Sequence, residues 1–171
     1  MSVLPRVSNV TRESVAREFD DRGPDVCRNE IIRELEADNP ELLDMATRCA
    51  RDVGDFERTM TGFCFFYRVL TTAARLSLRS VADVPGPFRL SVLPHVTAAT
   101  RAAIVDRIDA LGSQEFTRVT LLEWERDNPE LLLMAHNFAA DQLDYLGVMQ
   151  GFTLLFASLA AEPAQESGVR H

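Results

Sequence analysis

The chain contains no lysine: all 18 residues of its Lys+Arg total are arginine. That absence excludes Schiff-base chemistry, lysine acetylation and any S-x-x-K serine nucleophile. Cysteine is nearly as scarce. Cys27, Cys49 and Cys64 form an odd set with no C-x-x-C spacing, so neither a zinc ribbon nor a dithiol redox motif is written here. Buried thiols in a reducing cytosol are the expectation.

Histidine is limited to His95, His136 and His171, and none follows a glutamate by three positions, which removes the paired E-x-x-H elements of a di-iron bundle. H-E-x-x-H, G-x-S-x-G, G-x-G-x-x-G and the Walker loop are also missing. No catalytic residue, metal or cofactor is assigned. A net charge of -8 and a pI near 4.9 argue against a chain that works by neutralising nucleic-acid phosphates or by lying on anionic lipid. Basic partners, or none, fit better. The N-terminus "MSVLPRVSNV" lacks a basic start followed by a long apolar run, so a cytoplasmic protein is expected.

Charge is missing altogether from residues 145–161, a stretch near the lower length limit of a membrane span. Gln150, Thr153, Ser158 and two glycines mark it instead as a buried core helix.

What the chain does contain is a duplication. "ADNPELLDMA" at 37–46 returns as "RDNPELLLMA" at 126–135, an offset of 89. Carried outward, Glu34, Ala50, Asp55, Met60, Gly62, Phe63 and Leu70 recur as Glu123, Ala139, Asp144, Met149, Gly151, Phe152 and Leu159. Self-similarity of this reach points to an all-α, internally duplicated, pseudo-two-fold helical bundle with about four helices per repeat. Repeat 1 covers 8–73, a proline-containing crossover 74–96, repeat 2 97–162, and a disordered tail 163–171, with one core shared by both repeats.

Within each repeat, "DNPE" is a helix start: Asn39 or Asn128 as N-cap, Pro40 or Pro129 at the first position, and an acid facing the positive dipole end. The third helix then carries Leu42, Met45, Ala46 and Cys49 on one stripe, matched by Leu131, Met134, Ala135 and Phe138. Asp55 and Asp144 are expected to cap the fourth helices. Gly62 and Gly151 fall mid-helix, where glycine costs about 1 kcal/mol relative to alanine, so close helix approach is expected there. The acidic triplets from Glu34 and from Glu123 alternate at a spacing of two, which points neighbours to nearly opposite sides of a helix and favours a structural role over a metal site.

Differences between the repeats locate the candidate surface. Asp44 becomes Leu133, Arg51 becomes Ala140 and Arg58 becomes Gly147. A stripe that reads as solvated in repeat 1 reads as covered in repeat 2, either by the crossover or by another chain. The expectation is a non-enzymatic interaction or regulatory module, binding a protein partner or a second copy through Trp124, Leu133, His136 and Ala140. The alternative is a ligand-binding or catalytic bundle with an interior pocket from Phe63, Cys64, Tyr67, Tyr145, Phe152 and Phe156. A third reading, nucleic-acid binding, would need Arg48, Arg51, Arg58, Arg68 and Arg75 on one exposed strip.

Overall fold

A computed structural model describes residues 4–81 and 93–161, except for the side chains of 78–81. Among these residues there are eight helices and no strand: α1 (Asn9–Arg22), α2 (Pro24–Asp38), α3 (Pro40–Asp52), α4 (Phe56–Val81), α5 (Ala98–Leu111), α6 (Ser113–Asp127), α7 (Pro129–Ala140) and α8 (Tyr145–Ala160).

Local chemistry sets most of the boundaries. Ser8 and Thr97 cap α1 and α5, their hydroxyls accepting the N–H of Thr11 at 3.1 Å and of Thr100 at 3.0 Å. The corners after those helices turn on Gly23 and Gly112 at φ 94° and 88°, a left-handed region that a side chain would strain. Asp144 caps α8 by accepting the Gly147 N–H at 3.0 Å, and Asp55 accepts the Arg58 N–H at 3.2 Å.

Two expectations fail here in an informative way. Neither Asn39 nor Asn128 makes a side-chain cap bond to its own helix. Both carboxamides instead reach across the fold, Asn39 to Pro94 and Val96, and Asn128 to Pro5 and Val7. The fourth helix also outruns the expected boundary, since α4 continues to Val81 through residues assigned to the crossover. Residues 82–92 of the crossover, with Val84, Phe88, Leu90 and Val92, and the tail 163–171 lie outside the described residues.

The core is built on α4 and α8. α1, α2 and α3 pack on α4, while α5, α6 and α7 pack on α8; α3 also lies against α8, and α7 against α4. Met60, Phe63, Tyr67 and Leu70 are buried on one central helix, and Met149, Phe152, Phe156 and Leu159 on the other. Each such side chain stabilises the fold by about 1.5–3 kcal/mol relative to exposure. Phe152 joins the two helices, its ring 5.0 Å from Phe63 and 5.5 Å from Phe66.

Gly62 and Gly151 make room for rings rather than backbones. A Cβ on Gly62 would meet the Phe138 ring at 2.4 Å, and one on Gly151 the Phe63 ring at 2.6 Å. Among the described residues, no helix is long and apolar enough to cross a membrane.

Candidate functional site

Asp44 and Leu133, the pair that singled out this region, behave differently. Asp44 is not merely solvated: its carboxylate takes Arg101 of α5 at 2.8 Å and Arg48 at 2.9 Å, and these guanidiniums hold it below the usual carboxylate range. Leu133 makes no such tie. Arg12, 89 positions before Arg101, donates to the Asn9 carboxamide and reaches Glu130 only at 4.0 Å, and its buried Nε has no hydrogen-bond partner among the described residues.

Leu133 is 46% exposed and Leu122 56%, and both line a groove of about 470 Å³ between α6, α7 and the start of α8. Leu121, Leu132, Pro129 and Met149 extend its apolar wall. His136 closes one side, its Nδ1 sharing a 2.8 Å hydrogen bond with the Tyr145 hydroxyl, the two rings edge to face at 5.5 Å. The bond fixes both rings at the groove edge.

Of the four residues assigned to this surface, Leu133 and His136 line the groove; Ala140 is exposed at the end of α7 but does not line it. Trp124 does not belong to the surface at all. It is 0% exposed, stacked on Phe156 with centroids 4.6 Å apart and set edge-on to Phe66 at 5.8 Å. Its position follows Phe116 and Thr120 on the buried stripe of α6, as Leu35 follows Cys27 and Ile31 on α2. Leu122 was missed, although it stands where repeat 1 has Arg33 and the same comparison of charged with apolar positions identifies it.

The interior does not form the pocket assigned to it. Phe63, Cys64 and Tyr67 surround a cavity of about 10 Å³, room for at most one water, while Phe152 and Phe156 are packed ring on ring and Tyr145 lies in the outer groove. Burial pushes the Cys64 thiol and the Tyr67 phenol up to about 12. Both are neutral there and poorly suited to nucleophilic or general-base work. The arginine strip is also incomplete, because Arg68 is buried and turned inward to Glu34 at 3.1 Å and Glu30 at 3.5 Å.

The chain matches no family model, no curated protein and no solved structure.

Proposed function

We propose that the chain is a non-enzymatic, internally duplicated helical bundle that docks an apolar helix of a protein partner in the groove between α6, α7 and α8. The observation that carries this reading is the exposure of Leu122 and Leu133 in one groove. Contiguous apolar surface of this kind marks an interaction site more often than idle surface.

The duplication supports the choice of side. At an offset of 89, the helix starts, the Gly23 and Gly112 corners and the buried pairs Phe63 and Phe152, and Tyr67 and Phe156, correspond, so the two outer faces can be compared position by position. One face carries Arg33 and an ion-paired Asp44; the other carries two leucines. Glu125 lines the same groove with no ion-pair partner among the described residues, whereas Arg118 is engaged by Glu115 at 2.6 Å. A partner helix with a basic residue beside its apolar stripe is therefore favoured over a second copy of this acidic chain.

Leu133→Asp tests the proposal. It reproduces the residue that already stands at the corresponding position of α3, so helicity by circular dichroism should be unchanged. Native mass spectrometry of protein captured gently from its source cells should show a heteromeric mass for the wild type and a single chain for the variant. Unfolding of the variant, or a wild type that is already a single chain, overturns the reading; a mass of two identical chains replaces the partner helix with a second copy.

A further inference from the structure

We infer a second binding site, independent of the groove, in a cavity between α3, the start of α6 and α8 that is suited to a small organic ammonium ion with an apolar body. The cavity measures about 320 Å³, at the lower end of the range of roughly 300–1,000 Å³ in which small-molecule sites fall.

Its space arises where small residues replace large ones. Cys49 stands where the other half of the sequence has Phe138, Gly147 where it has Arg58, and Leu154 where it has Phe65. On the opposite side the Phe138 ring lies against Gly62; here the smaller Cys49, by its Cβ, and the Phe63 ring approach Gly151. A Cβ at 147 would come within 2.3 Å of the Asp144 carboxylate and 2.8 Å of Val53, so a side chain there would displace both.

Charge selects the ligand. Asp52 and Asp144 both line the cavity, no arginine lines it, and neither carboxylate has an ion-pair partner among the described residues. Of the guanidiniums of α5, Arg101 is held by Glu41 and Asp44, while Arg107 lies over the ring of Phe116, a wall residue, at 5.4 Å without lining the cavity itself. The N-termini of α6 and α8, the latter capped by Asp144, each oppose a cation with about half a charge, which the two carboxylates together exceed. Ile108, Phe116 and Leu154 supply the apolar wall for the rest of the molecule. The Cys49 thiol, pushed up to about 11 by burial and then by Asp52, stays neutral and contributes shape rather than reactivity.

The experiment is isothermal titration of the full chain with 2-phenylethylammonium and butylammonium, against 3-phenylpropionate and pentanoate as carboxylates of matching shape. At least one ammonium should bind saturably, with a Kd below about 1 mM, while neither carboxylate does. Asp52→Asn, at the exposed end of α3, should weaken binding at least about tenfold. Cys49→Phe, which fills the cavity as Phe138 fills its counterpart, should abolish it. No binding by either ammonium, equal binding of the carboxylates, or affinity unchanged in Asp52→Asn overturns the assignment. Because Leu133→Asp leaves this cavity intact, it should bind the ammonium as the wild type does, so the site stands or falls separately from the groove.

Discussion

The carboxamide of Asn39 accepts the backbone N–H of Val96 at 2.9 Å across 57 positions of sequence, and Asn128 accepts that of Val7 at the same distance across 121. Each also donates, to the carbonyls of Pro94 and Pro5 at 2.9 and 2.8 Å. The corner before α3 thus holds the lead-in to α5, and the corner before α7 holds the lead-in to α1. The two halves of the chain clasp each other.

Removing a clasp should be costly. Asn39 and Asn128 are 2% and 1% exposed, so Asn39→Ala or Asn128→Ala strands a buried N–H and a carbonyl, at about 1–3 kcal/mol for each unsatisfied group. Urea denaturation should show a clear loss of midpoint in either variant. Asn39→Asp keeps the acceptor for Val96 but faces a carboxylate oxygen to the Pro94 carbonyl, and it should also destabilise.

Gly62→Ala should destabilise despite the better helix propensity of alanine. The propensity gain is about 1 kcal/mol, whereas forcing a methyl into the Phe138 ring costs about 1–3 kcal/mol through displacement of packed side chains. Phe138→Leu in the same chain should relieve much of that cost. Additive effects in the double-mutant cycle would show that the ring is not the obstacle.

Acid should loosen the bundle in a specific window. Glu30 is held below its usual value by a hydrogen bond from Arg22, and Asp44 by hydrogen bonds from Arg101 and then Arg48. A lowered folded-state value means that the stabilisation is complete above the ordinary values of 4.5 and 3.8 and is lost as pH falls through the folded ones. The urea midpoint should drop between about pH 5 and about pH 2, and Arg101→Gln should flatten part of that drop.

The thiols should be slow. With Cys49 near 11 and Cys64 near 12 because of burial, their thiolate populations at neutral pH fall about two to three orders of magnitude below that of a free cysteine. Disulfide-exchange reagents should label the native chain at a small fraction of the rate seen in urea. Fast native labelling would contradict the burial.

Arg68→Met should be milder than Arg68→Ala. The guanidinium is 8% exposed, but its partners Glu30 and Glu34 are 37% and 31% exposed, so water screens part of the pairing. Methionine keeps the packing of the buried stem, and alanine leaves a cavity as well. Thermal melts of the two variants separate these contributions.

Much of the architecture was legible because helix signals are local. Ser8, Gly23, Asp55 and their counterparts at an offset of 89 act on the nearest turn of backbone, and the apolar stripes of α3, α4, α7 and α8 need only a period of 3.6 to be read. The change of Asp44 to Leu133 was equally visible, and it pointed to the side on which the groove lies. Asn39 and Asn128 stand at the N-cap positions as read, but the expected side-chain cap bonds are not made, because a carboxamide serves a local or a distant backbone group equally well and sequence spacing favours the local one. Trp124 went to the surface for a related reason: periodicity shows which residues share a face, not which face meets another helix.

By itself, then, the sequence determined an all-helical chain, the starts of α3, α4, α7 and α8, and the side on which its charge gives way to leucine. Only the tertiary structure decided that Trp124 is sealed against Phe156, that Arg68 turns inward, that the aromatic interior is filled, and that Cys49, Gly147 and Leu154 leave a cavity beside two carboxylates with no ion-pair partner among the described residues. The physical reason is that caps and periodicity act over one or two turns, whereas cavities, buried ion pairs and the Asn clasps depend on where side chains far apart in sequence meet.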